Sequence, residues 1–199
     1  MSDKSEFKKL IKIKGEVRGV VFKTDMEYVL SKKGEEGLAM VEKELKEAGF
    51  PVEYRKIESM GFFPVGLRII SLLTIKKLFN FSEEDIEDMG LFATKVSLFV
   101  KLFIKYFLSV ERVFSKEAPK IWQKHWTIGE LVPVKLNREE KYAILKLDNF
   151  NVHPLYCLYL QGYFRGILQM LVKSPEIICR ETKCVFKGDK HHEFLVKWK

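Results

Sequence analysis

The stretch from His153 to Phe194 reads HPLYCLYLQGYFRGILQMLVKSPEIICRETKCVFKGDKHHEF, and its two halves obey different periodicities. The first half opens on Pro154, whose missing N–H costs little in the first turn of a helix. It then runs apolar to Val172, interrupted by Gln161 and Arg165. That pattern predicts a buried helix. In the second half, β-branched and aromatic residues flank Lys187-Gly188-Asp189-Lys190, a turn-forming cluster, which predicts a β-hairpin. All three cysteines and three of the four histidines of the chain lie in this stretch.

Upstream, Glu130 to Leu136 and Lys141 to Leu147 alternate apolar and polar residues around Asn137-Arg138-Glu139-Glu140, the pattern of another hairpin. The order strand, strand, helix, strand, strand lets two hairpins share one antiparallel sheet, with the helix packed on its inner face. Gly162 and Gly166 fall on one face of that helix, where a missing side chain permits close contact with the sheet or another helix. The N-terminal part reads as helices. Ser2 to Gly15 predicts a frayed start that becomes a short strand, and Val20 to Leu30 and Glu35 to Ala48 show helical spacing on either side of Lys32-Lys33-Gly34. Gly61-Phe62-Phe63-Pro64-Val65-Gly66 breaks regularity and reads as a loop folded over a pocket or as a buried connector. Leu67 to Phe79 and Ile86 to Lys116 read as helices, Ser82 as the N-cap between them, and His125 between Trp122 and Trp126 as a packing residue. The expected fold class is therefore α/β of the α+β kind: a single domain, 1–199, with a mainly helical part (1–127) and a strand-strand-helix-strand-strand part (128–199) carrying a mostly antiparallel sheet on a buried helix.

This layout brings four potential metal ligands together: Cys157 on the helix, Glu181 and Cys184 on the first strand of the last hairpin, and His192 where its second strand begins. No pair has the tight C-x-x-C spacing of a zinc finger. On spacing alone, Cys157 and Cys184 read rather as small buried hydrophobes, Glu181 as a surface charge and His192 as a solvated strand end. Glu181 and Cys184 are three apart, which on a regular strand points them to opposite faces, so a shared ion requires a bulge or strand end at Thr182-Lys183.

The set C-x4-G-Y-x2-G followed by E-x2-C-x3-G-D-x2-H-x-F, carried by Cys157, Gly162, Tyr163, Gly166, Glu181, Cys184, Gly188, Asp189, His192 and Phe194, resembles the 4-vinyl reductase domain family. That resemblance implies the fold shared by the phenol-sensing domains of bacterial transcription regulators, TRAPP small subunits and haem nitric-oxide sensors. It implies a zinc ion held by Cys157, Glu181, Cys184 and His192 beside an apolar pocket, with His192 standing where the family has cysteine. Cys179 and His191 are alternates if the register differs. The haem members' proximal histidine and Y-x-S-x-R signature have no counterpart in the sequence, so haem is not expected.

Composition sets further bounds. The chain has 199 residues, 47% hydrophobic and 13% aromatic, with sixteen phenylalanines, enough for a substantial core. Its net charge of +8 raises nucleic acid or an anionic membrane as partners, but lysines alternate with acids and no helix-turn-helix pattern stands out, so direct nucleic-acid binding is not expected. Three cysteines without a signal-peptide pattern point to the reducing cytoplasm rather than to a disulfide framework. The Pro154–Val172 run reads as a buried helix and not a membrane span. Walker, dinucleotide, G-x-S-x-G and H-E-x-x-H motifs are absent, and a Cys184/His192 nucleophile pair lacks an orienting group, so no catalytic residue is expected. The expected function is a non-enzymatic, sensor-type module for a small hydrophobic or aromatic molecule, lined by Phe62, Phe63, Phe99, Phe103, Trp126, Tyr159 and Tyr163. A sensor role implies a partner, with homodimerisation through the helical half as the expected route. The rival is an enzyme or accessory protein in tetrapyrrole (4-vinyl) reduction.

Overall fold

The structure, a computed structural model, describes residues 3–96 and 110–199. Helix α1 (Asp3–Leu10) occupies the segment expected to fray into a strand; the strand comes later, as β1 (Glu16–Arg18). The correction has a packing cause, because Phe7 and Leu10 sit three apart and bury one helical face in the core. α2 (Val20–Ala48) is continuous except at Gly34, whose φ of 67° and ψ of −169° interrupt the helix where Lys32-Lys33-Gly34 predicts a break.

Strand β2 (Phe62–Pro64) pairs antiparallel with β1, Phe62 opposite Arg18. The Gly61–Gly66 segment is thus not a loop: Phe62–Pro64 form one strand of a two-stranded ribbon, and Val65 and Gly66 are the buried start of the next helix. α3 (Val65–Leu78) is nearly all buried. α4 (Glu83–Val96) starts with a reciprocal cap in which the Ser82 N–H donates to Asp85 Oδ2 (2.8 Å) and the Asp85 N–H to Ser82 Oγ (3.2 Å). A helical turn at Val110–Arg112 passes through a π turn, Val113–Glu117, into α5 (Ala118–His125).

The second half follows the expected order. β3 (Glu130–Asn137), β4 (Tyr142–Asp148), α6 (Leu155–Leu171), β5 (Ile177–Lys183) and β6 (His192–Trp198) build a four-stranded antiparallel sheet in the order β3-β4-β6-β5. The period-2 alternation is explicit: Ala143, Leu145 and Leu147 of β4 and their partners Val196, Phe194 and His192 of β6 all face the core. α6 touches this sheet through Phe164 and Phe194, whose rings are 5.1 Å apart, but its principal neighbour is α4. There the backbones nearly touch. A Cβ on Gly162 would lie 1.8 Å from Glu87 O, and one on Gly90 1.9 Å from Tyr159 O, so both glycines are required by close approach. Among the described residues, no helix is long and apolar enough to cross a membrane.

Candidate functional site

Two sites share α6. The first lies at its N-terminal end. β5 carries Glu181, and the register with β6 shifts between Glu181 and Lys183, supplying the bulge that the three-residue spacing demands. Cys184 lies just past the strand, its N–H bound to Asp189 Oδ2 at 2.8 Å, with Gly188 in the left-handed region at φ 99° closing the loop. As a result Cys157, Glu181, Cys184 and His192 point inward, and their ligand atoms all lie within 4.8 Å of one another. Cys157 Sγ is 3.7 Å from both Cys184 Sγ and His192 Nδ1. Bonds of roughly 2.0–2.3 Å to a first-row divalent ion imply tetrahedral edges of about 3.3–3.8 Å, so these separations suit a shared ion. The alternates Cys179 and His191 are not in the cluster.

Hydrogen bonding orients the set. His192 Nε2 is 3.1 Å from Phe150 O, so Nε2–H donates there and turns Nδ1 inward, the arrangement that commonly orients a ligating imidazole. Nδ1 then faces Glu181 Oε1 at 2.8 Å. A lone pair and a carboxylate oxygen at that distance need a cation between them, either a proton or a metal ion. Gln161 Oε1, one turn from Cys157 on α6, accepts the Glu181 N–H at 2.9 Å and fixes the carboxylate's strand to the helix. Burial, with Glu181 and Cys184 beside it, pushes the Cys157 thiol well above its ordinary pKa.

The second site is a cavity of about 440 Å³ bounded by α6, α5, the π turn, β3, β4 and the start of α2. Trp126, Tyr159 and Tyr163 line it, together with Phe114, Trp122 and Phe164. Phe62 and Phe63 do not. Phe62 stacks on the Arg18 guanidinium at 3.9 Å and Phe63 packs on Phe22, because pairing of β2 with β1 turns both away from the cavity. Phe99 and Phe103 lie outside the described residues.

A pair unread from the sequence sits in the cavity wall. Arg68 of α3, fully buried, donates from Nε to Asp25 Oδ2 (3.0 Å) and from one terminal nitrogen to Asp25 Oδ1 (3.2 Å). Its other terminal nitrogen donates to Tyr156 Oη at 3.2 Å, and its carbon lies 4.5 Å from the Tyr159 ring centroid. Burial alone would lower Arg68, but Asp25 and the two tyrosines hold its pKa well above the ordinary value, so it stays a cation. Burial pushes the Tyr159 phenol up to about 12, so it stays protonated. The sequence signal was an arginine inside the otherwise apolar GLRIISLL run of α3, with a matching acid in α2.

No family model and no curated protein sequence matches the chain. Among solved structures, it is similar to an H-NOX protein from Shewanella oneidensis in the Fe(II)NO ligation state (TM-score 0.67, 14% identity, covering 92% of this chain and 99% of that one). It is similar also to an oxygen-binding H-NOX domain related to soluble guanylate cyclases (TM-score 0.64, 14% identity, 92% and 95% covered). A third match is a protein studied for haem redox potential and porphyrin distortion (TM-score 0.60, 14% identity, 91% and 99% covered).

The fold is that of the H-NOX domains. Haem sensors are one of the groups named with the expected fold, and the likeness to them is one of fold; membership of the 4-vinyl reductase family finds no sequence support. Zinc as the cofactor is corrected by the same neighbours, which are described with Fe(II) and haem. The residues present do not fit a haem. Arg68, the buried guanidinium of the cavity, is committed to Asp25, and the sequence has no Y-x-S-x-R run for the porphyrin carboxylates. His125 is the cavity's one histidine among the described residues, on a short helix at the rim; its Nδ1 on Ile121 O at 3.0 Å is the same kind of bond that orients His192, so the misfit rests on the committed Arg68 and the missing signature and not on this ring, and residues 97–109 contain no His, Cys or Met.

Proposed function

We propose that residues 1–199 act as one sensor-type domain that binds a small hydrophobic or aromatic molecule in the H-NOX-like cavity without chemically transforming it. The observation that supports this reading most is the cavity itself: about 440 Å³, bounded by aromatic and aliphatic side chains and set between the helical part and the sheet. A volume of that size forfeits packing contacts when empty, and filling it with an apolar guest regains them. Trp126, Tyr159 and Tyr163 give the guest ring faces to stack on, and the protonated Tyr159 hydroxyl offers a polar contact.

Cys157, Glu181, Cys184 and His192 form the proposed metal-ion site of the domain. Four protein donors leave no open coordination position, so the ion's role is to hold the β5–β6 hairpin against α6, not to meet the ligand. A sensor passes its state to a partner, and a second copy docked on the helical half is the route that sedimentation equilibrium tests.

Native mass spectrometry with ultraviolet-visible spectra of the purified protein tests the whole reading. A retained colourless organic molecule, or thermal stabilisation by apolar aromatics such as 4-ethylphenol, is the expected result. A bound tetrapyrrole pigment, or no stabilisation by any apolar compound, overturns it.

A further inference from the structure

The ends of the cavity differ in charge. Its interior is mainly apolar, with Thr24, the hydroxyls of Tyr159 and Tyr163, and Arg68, whose charge Asp25 neutralises from behind the wall. At its rim stand Arg18, Met60, Lys124 and His125, of which Met60 and Lys124 are exposed and Arg18 and His125 partly so. Local structure puts them there. β1 is held against the end of α5 by the Val17–Trp126 bridge, by the Thr127 N–H on Glu16 O (3.0 Å) and by the Glu16 N–H on Thr127 Oγ1 (2.8 Å).

Arg18 is fixed but not neutralised. Its Nε donates to Lys124 O at 2.8 Å, a terminal nitrogen donates to Met60 O, and Phe62 covers one guanidinium face. Carbonyls and a ring orient a cation without cancelling its charge, and a guanidinium has five N–H donors to share. Among the described residues, no carboxylate pairs with Arg18 or Lys124, and none lines the cavity. Residues 97–109 contain no acid in sequence. Both rim charges act on His125, adding to the burial that keeps its ring neutral. An uncompensated pair of cations over an apolar chamber matches a guest with an apolar body and an anionic head.

We infer that the cavity's ligand is an amphipathic organic acid whose carboxylate sits between Arg18 and Lys124 while its hydrocarbon or aromatic part fills the chamber; this rests on the cavity being a ligand site. The carboxylate receives charge-assisted hydrogen bonds from a guanidinium already held in place, so little side-chain freedom is lost on binding. The low-dielectric wall beneath strengthens that attraction relative to open water. An uncharged alcohol of the same shape fills the chamber equally but leaves both cations unpaired.

Isothermal titration calorimetry of the full chain with 4-butylbenzoate and 4-butylbenzyl alcohol separates the two contributions. The acid is expected to bind at least about tenfold tighter, a difference of ~1.4 kcal/mol, and the ratio is expected to shrink as salt is raised. In R18Q/K124Q the ratio is expected to collapse toward one; a purely structural effect shifts both affinities together and leaves the ratio intact. Lys124 is exposed and its side chain bonds to no other described residue, so K124Q alone supplies the same reading, in smaller measure, should the double variant not fold. Equal binding of acid and alcohol by the wild type, or a ratio unchanged in the variants, overturns the inference while leaving the cavity reading intact. Failure of both compounds to bind overturns both.

Discussion

Replacing Asp25 by Asn leaves the Arg68 guanidinium buried, charged and without a counter-charge. Both side chains are essentially inaccessible, at 1% and 0% exposure, and the pair is bidentate at 3.0 and 3.2 Å, so the substitution takes away the counter-charge that the guanidinium engages. Breaking a buried pair of this kind costs about 3–5 kcal/mol, because the surviving charge keeps its desolvation penalty and loses its partner. With a urea slope near the upper end of the usual range, ~3 kcal/mol/M for a chain of this length, the unfolding midpoint is expected to fall by about 1–1.7 M. Arg68→Met strands the carboxylate instead and is expected to cost a similar amount, with the Tyr156 hydroxyl losing a partner as well. The double variant Asp25→Leu/Arg68→Met removes both charges and keeps the volume apolar, so it is expected to be markedly more stable than the sum of the single effects. Equilibrium urea unfolding of the four proteins measures the coupling. Single variants costing less than about 1 kcal/mol, or a double variant equal to the sum, would refute the claim that the pair is both desolvated and mutually dependent.

Three further outcomes follow from the geometry. Gly162→Ala gains up to ~1 kcal/mol of helix propensity, yet its Cβ meets Glu87 O at 1.8 Å in a backbone contact that has no rotamer to relax, so a net loss of ~1–3 kcal/mol is expected; a rise in Tm contradicts it. Cys184→Ser is expected to lose the bound metal ion, read by elemental mass spectrometry, and to melt at a lower temperature, with a chelator reproducing the drop in the wild type and adding nothing in the variant; wild-type protein free of every metal from the start rejects the site. Burial, with Arg18 and Lys124 adding to it against the Ile121 carbonyl, lowers the His125 pKa, so the unfolded chain takes up that proton first. Its stabilising contribution is therefore present above the unfolded value of about 6.5 and is lost as pH falls below it. His125→Gln is expected to flatten the fall in urea midpoint between pH 7 and 5, and an unchanged slope refutes the assignment.

What the sequence revealed depended on whether the signal was local. The Ser82 cap, the break at Gly34 and the alternation of β4 are written in neighbouring residues, and each appears where expected. The four residues of the cluster were named from the resemblance, because a helix and one hairpin place them within some forty residues of chain but their spacing alone does not single them out. Its metal was not, because the same donors suit several ions, and structures of the same fold carry iron in haem. The pairing of β1 with β2 was hidden: two three-residue strands separated by α2 have no periodicity to show, so Phe62 and Phe63 were assigned to the cavity. Asp25 and Arg68 are 43 residues apart, and nothing local announces that the one arginine of an apolar α3 will meet this acid among the many charges of α2.

Helix α6 explains why the two sites belong to one device. At about 100° per residue, Cys157 and Gln161 share a face, and both engage the β5–β6 hairpin, one through the ligand cluster and one through the Glu181 N–H. Gly162 and Gly166 lie on another face, against Glu87, Leu91 and Thr94 of α4. Leu160, Tyr163 and Ile167 turn a third toward the cavity. Rotating α6 to move Tyr163 would drive its backbone into α4 and pull Cys157 out of the cluster. The clamp on two sides therefore makes the α6 wall of the cavity stiff, and at the rim Arg18 is oriented by the Lys124 and Met60 carbonyls and by the Phe62 ring, on a strand that the Val17–Trp126 bridge and the Glu16–Thr127 bonds tie to α5. A ligand entering past that rim would meet a preformed wall.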